Sequence, residues 1–170
     1  MSNTNHNPTC SCGCAEGALA HNELTAWLSG DAHTRQDAAL QQKMRMLRRE
    51  DVAQPTIYIG AGTCGQGAGA LKTLKAVRDY LAEKQIDASV IEVGCIGMCS
   101  AEPLLDVQLP GRTRVSFEHV TEKSAPALLD AVFAGTAPVD QAMGQFEAPG
   151  LTPWENIPKM NEHPFFAPQT

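Results

Sequence analysis

The chain has 170 residues, enough for one ordinary domain with extensions, and carries a formal net charge of −6 with a pI near 5.3. That acidic balance argues against a nucleic-acid binder, which presents a basic surface. No apolar run approaches the roughly 18–20 residues needed to cross a bilayer. The polar start, Ser2 to Asn7, lacks the basic and then apolar regions of a secretory leader. A globular protein of the cytoplasm, without membrane insertion, is therefore expected.

Residues 1–17 are polar, bear glycine and carry Cys10, Cys12 and Cys14. A short helix is expected near Asn22–Leu28, ended by Gly30-Asp31. A second helix follows from about His33 to Glu50, with Leu40, Met44 and Leu47 on one stripe and Lys43, Arg45, Arg48 and Arg49 opposite. Pro55 opens the core. Thr56–Ile59 reads as a strand, Gly60–Gly69 as a glycine loop, and Ala70–Lys84 as a helix with Leu71, Leu74, Val77 and Leu81 on one face. Ala88–Val93 reads as a second strand, so the order predicts a right-handed parallel crossover.

After Pro103, Leu104–Gln108 and Thr113–Phe117 read as strands. The connection through Leu109-Pro110-Gly111-Arg112 is too short for a crossover, which makes the pair an antiparallel hairpin. Thr121 is the expected N-cap of a closing helix bearing Leu128, Leu129, Val132 and Phe133, with Gly135 at its end. The fold class is thus α/β: a thioredoxin-like βαβ–ββα core over 54–135. It is preceded by a Cys-bearing N-terminus (1–17) and a helical extension (18–53). A Pro-rich extended segment (136–170) follows, a tail that wraps the domain or a linker to another one, with Trp154 and Phe165-Phe166 as apolar anchors.

Six cysteines in a chain expected in a reducing compartment lean toward metal or redox chemistry. Gly60-x-Gly62-x-x-Gly65 matches the dinucleotide fingerprint literally. However, no acidic residue ends the second strand, the sheet turns into a hairpin, and a cysteine stands inside the motif. Gly69-Ala-Leu-Lys72-Thr73 lacks the glycine before lysine that a P-loop requires. Disulfide-reductase chemistry calls for a C-x-x-C pair after the first strand, where only Cys64 stands. Glu92, Glu102 and Asp106 lie near the cysteines in sequence without forming a convincing acid–base pair, so no catalytic residue is assigned.

Parallel strands end on one edge of the sheet. The loop after the first carries Cys64 and the loop after the second carries Cys95 and Cys99, so three thiols are expected to converge. Iron–sulfur clusters take such thiolates, normally four for a [2Fe–2S] centre. Gly65, Gly94 and Gly97 beside them allow close backbone approach and can present N–H groups to sulfur.

Cys95-Ile-Gly97-Met-Cys99-Ser-Ala-Glu-Pro103 resembles the C-x-G-x-C…P segment of thioredoxin-like [2Fe–2S] ferredoxins, which include the small iron–sulfur subunit of respiratory complex I. Cys64-Gly-Gln-Gly-Ala-Gly69-Ala70 resembles the second half of that family's first motif. The run from Trp154 to Gln169 resembles the junction before the NADH- and FMN-binding domain of flavoprotein subunits of NAD-linked hydrogenases and formate dehydrogenases.

The resemblance implies an electron-transfer module of an NADH-linked oxidoreductase, not catalytic alone. It implies a [2Fe–2S] cluster on Cys64, Cys95 and Cys99, with FMN and NAD held only in a flavoprotein partner, beside other iron–sulfur subunits. The family's first cysteine belongs where Ile59 and Gly60 stand. Three alternatives follow: a fourth ligand from Cys10, Cys12 or Cys14, with His119 a weaker donor; a labile or absent cluster; or a redox thiol site. Cys10-Ser-Cys12-Gly-Cys14 equally suits an independent site for Zn²⁺ or Cu(I). The contrasting reading of the whole chain is a cluster-free thioredoxin-like docking module.

Overall fold

A computed structural model describes residues 37–169. The helix expected at Asn22–Leu28, its breaker at Gly30-Asp31 and the cysteines at 10, 12 and 14 lie outside the described residues. Two units divide the chain, Met1–Glu50 and Asp51–Thr170.

In the first unit, helix α1 spans Ala38–Leu47 and is shorter than the His33–Glu50 expectation. The carboxylate of Asp37 accepts hydrogen bonds from the N–H groups of Ala39 (2.8 Å) and Leu40 (3.1 Å), which makes Asp37 the N-cap. Leu40 and Met44 are buried as their spacing suggested, whereas Leu47 is 49% exposed and drops out of the stripe.

In the second unit, β1 (Thr56–Gly60) leads into a short helix α2 (Thr63–Ala68), where the sequence suggested only a glycine loop. Gly69 takes a left-handed φ of +106°, so one residue both ends α2 and starts α3 (Ala70–Lys84). Leu74, Val77 and Leu81 of α3 are buried, but Leu71 is 51% exposed. Strand β2 (Ser89–Val93) pairs with β1 in parallel, Thr56 against Ser89 through Gly60 against Val93.

Strands β3 (Leu105–Gln108) and β4 (Arg114–Phe117) form the expected antiparallel hairpin, and β3 also lies antiparallel to β1. Helix α4 (Ala125–Phe133) starts four residues after Thr121. Thr121 and Ser124 instead hydrogen-bond each other in the preceding turn, and the N-cap position falls to Ser124. Gly135, at φ +88°, ends the helix as read from the sequence.

The Pro-rich segment does more than extend. Ala142–Phe146 forms β5, antiparallel to β4, which completes a five-stranded sheet of order β2-β1-β3-β4-β5. Trp154, Ile157 and Met160 beyond it are buried. Trp154 packs as the apolar anchor that the sequence suggests, whereas Ile157 and Met160, in a Pro-rich run without strand alternation, carry no such signal.

Side chains alternate across the sheet. Ile57, Ile59, Leu105, Val107, Val115 and Phe117 join Leu74, Val77, Leu128, Leu129 and Val132 of α3 and α4 in one core. At about 1.5–3 kcal/mol per buried aliphatic side chain, this cluster is the main stabilising term. The opposite face carries Tyr58, Asp106, Gln108, Arg114 and Ser116. The guanidinium of Arg114 lies 3.5 Å from the Asp106 carboxylate and stacks 4.1 Å from the Phe146 ring centroid.

Burial raises the Asp106 carboxyl above its ordinary 3.8, while Arg114 and a hydrogen bond from Ser116 pull it back. The folded state therefore keeps this proton to higher pH than the unfolded chain does. Stability is expected to fall as pH rises from the ordinary carboxylate value through the raised one. Asp106→Asn should flatten that slope in urea-unfolding midpoints measured across the acidic range. An unchanged slope would exclude Asp106 as its source.

Candidate metal centre

Parallel pairing of β1 and β2 brings their following loops to one edge. The ladder runs on past the strands, with Ala61 N–H donating to Val93 C=O at 2.9 Å. Gly62 lets the loops touch, since a Cβ there would stand 3.2 Å from both the Cβ and the backbone nitrogen of Cys95. Cys64 sits in the first turn of α2, Cys95 in the loop after β2, and Cys99 at the start of a 3-10 turn, Cys99–Ala101.

The segment after Cys99 is pinned from the other side. His119 N–H donates to Ala101 C=O and Val120 N–H to Pro103 C=O, both at 2.9 Å. The hydroxyl of Thr73 on α3 donates to Val120 C=O at 2.8 Å. Both cysteine loops are thus tied to the core while their thiols face outward.

The sulfur atoms of Cys64, Cys95 and Cys99 all lie within 4.8 Å of one another, and those of Cys95 and Cys99 are 3.7 Å apart. All three are free and exposed. Gly97 N–H donates to Cys95 Sγ at 3.2 Å. The Cys64 thiol beside Cys99 shares a hydrogen bond with it and raises the Cys99 thiol above its ordinary value. A cation placed among three sulfurs this close offsets the repulsion between their thiolates.

The structure separates the three glycines read as site residues. Gly97, at φ +90°, uses its freedom at the thiols, with the ring of Phe165 3.6 Å from where a Cβ would stand. Gly65 packs inward, since a Cβ there would overlap the carbonyl oxygen of Gly60. Gly94 has open space around it. His119 is not in the thiol group; its φ of +53° belongs to the turn into α4. Glu92 is paired with Arg78 at 3.2 Å and Asp106 with Arg114, so neither faces the site as an acid or base.

Glu102 is the residue that sequence reasoning undervalued. Its side chain is 6% exposed, and Oε2 accepts from Leu104 N–H at 2.8 Å. Oε1 is buried with no hydrogen-bond partner among the described residues. The carboxylate fills the space that side chains at Gly60 and Gly65 would occupy, 2.9 Å and 3.1 Å from their would-be Cβ atoms. It therefore packs between the loop leading to Cys64 and the segment leaving Cys99. Its nearness to Cys99 is visible in the sequence, whereas its packing against Gly60 and Gly65 is not.

Three exposed thiols with a backbone N–H on one sulfur fit thiophilic metal chemistry and supply three of the four thiolates a [2Fe–2S] centre normally takes. At Gly60 a cysteine would meet the Glu102 carboxylate, and Ile59 is fully buried in the core, so neither position offers a ligand.

Fold and site together define a thioredoxin-like domain with a thiol cluster at the C-terminal edge of its parallel strand pair. The chain is 28% identical over 85 residues to the NADP-reducing hydrogenase subunit HndB of Solidesulfovibrio fructosivorans, covering 49% of this chain and 68% of that protein. It is also similar to the structure of a thioredoxin-like [2Fe–2S] ferredoxin from Aquifex aeolicus. The TM-score is 0.47 at 13% identity, over 59% of this chain and 100% of the ferredoxin. A wild-type structure of that ferredoxin gives a TM-score of 0.46 at 13% identity, over 55% and 99% of the two chains. No family model matches. Among the described residues no helix is long and apolar enough to cross a membrane.

Proposed function

We propose that this chain is an electron-transfer module, holding a [2Fe–2S] cluster through Cys64, Cys95 and Cys99 as one part of a multi-subunit, hydrogenase-type oxidoreductase of the cytoplasm. The observation that carries this reading is the meeting of three exposed thiols at the adjacent ends of two parallel strands. Such a cluster, when bound, supplies a one-electron couple. The chain's own part is to hold the three thiolates on loops tied to a rigid sheet. Gly97 N–H disperses negative charge on Cys95 Sγ, which favours the reduced state. Exposure of all three sulfurs leaves the site open to a partner.

The likeness to a hydrogenase subunit supports work beside other subunits. A flavoprotein that holds FMN and NAD, with further iron–sulfur subunits, is the finer part of this proposal. So is a fourth ligand from Cys10, Cys12 or Cys14.

The test is anaerobic purification, followed by iron and sulfide analysis and EPR of the reduced protein. One cluster per chain is expected. Cys95→Ser should lower its retention at least about tenfold. Serine at positions 10, 12 and 14 together should change the EPR signal if one of these cysteines is the fourth ligand. A colourless native chain that resists reconstitution with iron and sulfide would overturn the reading and leave the cluster-free docking module.

A further inference from the structure

We propose that the same three cysteines form a mononuclear site for one Zn²⁺ ion, and that zinc bound there excludes the iron–sulfur centre. The second half rests on the reading above; the first stands on geometry. A tetrahedral zinc with Zn–S bonds of about 2.3 Å places its sulfur ligands about 3.8 Å apart. Cys95 and Cys99 already stand at 3.7 Å, and Cys64 Sγ lies within 4.8 Å of both, so a small side-chain adjustment closes the set.

Three protein ligands with one position left for water is an ordinary zinc arrangement, whereas two irons call for one thiolate more than the described residues offer. Thiolate donors favour Zn²⁺ over Fe²⁺ in the usual affinity order. Exposure of all three sulfurs gives the ion direct access from solvent. No electron moves in the binding step: each thiol gives its proton to solvent as its sulfur forms a bond to the metal. Zinc then occupies the sulfurs that cluster assembly requires.

The experiment uses the full chain with Cys10, Cys12 and Cys14 replaced by serine, reduced and metal-free, so that only the described thiols respond. Co²⁺ serves as the optical probe and Zn²⁺ as its competitor. One equivalent of Co²⁺ should produce sulfur-to-metal charge-transfer bands and a tetrahedral ligand-field spectrum, and one equivalent of Zn²⁺ should abolish them. Adding Cys95→Ser or Cys64→Ser should weaken binding at least tenfold. Absence of the bands, or binding indifferent to these substitutions, overturns the site.

A second arm reconstitutes the native chain with iron and sulfide, with and without prior zinc loading. Cluster in the zinc-free sample alone supports exclusion, and equal cluster in both overturns it. If zinc binds but the zinc-free sample takes up no cluster, the electron-transfer reading fails and the zinc site stands.

Discussion

Gly65→Ala is expected to destabilise the protein by about 3 kcal/mol or more, lowering the melting midpoint by roughly 6–12 °C for a chain of this size. A Cβ at residue 65 would overlap the carbonyl oxygen of Gly60 and stand 3.0 Å from its carbonyl carbon. These are backbone atoms at the end of a fully buried strand, so no flexible side chain can yield. The added methyl would also stand 3.1 Å from Glu102 Oε2. Relief requires α2 to move away from β1, and Cys64 moves with it, so metal retention should fall together with stability.

Gly67→Ala in the same short helix is the control. Nothing lies within 4 Å of its would-be Cβ, and the change should be neutral or stabilising by about 0.5–1 kcal/mol. Thermal unfolding of the two variants decides the matter. Equal midpoints would show that the close approach of α2 to β1 does not limit stability.

Trp154→Ala is the second large effect, at about 3–5 kcal/mol. Trp154 is 3% exposed, its ring lies under the Arg112 guanidinium at 3.8 Å, and its Nε1–H donates to Thr113 C=O at 2.8 Å. Its backbone is held as tightly. Gln145 Oε1 accepts from Trp154 N–H at 2.8 Å, and Gln145 Nε2 donates to the carbonyl oxygens of Trp154 (3.0 Å) and Ile157 (2.7 Å). Truncation opens a cavity, leaves a buried carbonyl short of its donor and frees the segment that follows. Trp154→Phe keeps most of the burial and loses the hydrogen bond, so about 1–3 kcal/mol is expected. Urea unfolding measures both variants. An alanine variant within 1 kcal/mol of the parent would mean that the segment after β5 contributes little to the fold.

The two halves of the molecule were unequally legible. The parallel pair, the hairpin and α3 followed from period and connection length: a turn of four residues cannot cross a sheet, and an apolar stripe of period 3.6 buries one face of a helix. Strand β5 was hidden because Ala142-Met143-Gly144-Gln145-Phe146 has little β-propensity. It pairs because β4 offers an open edge, and because Gly144 admits Met160, whose backbone would stand 3.0 Å from a Cβ at that position. The exposure of Leu47 and Leu71 shows the same limit. A stripe names a face, but the width of the surface it meets decides which members are covered.

By itself, the sequence determined the βαβ–ββα order and the loops that carry Cys64, Cys95 and Cys99, because local period, turn length and the geometry of parallel strands are short-range properties. Only the tertiary structure decided three further things. It brought the three sulfurs within 4.8 Å of one another, set Gly65 against the carbonyl of Gly60, and packed the Glu102 carboxylate between the two cysteine loops. The physical reason is close packing: which atom fills the space opposite a glycine depends on segments 37 or 42 residues away, and no local pattern records it.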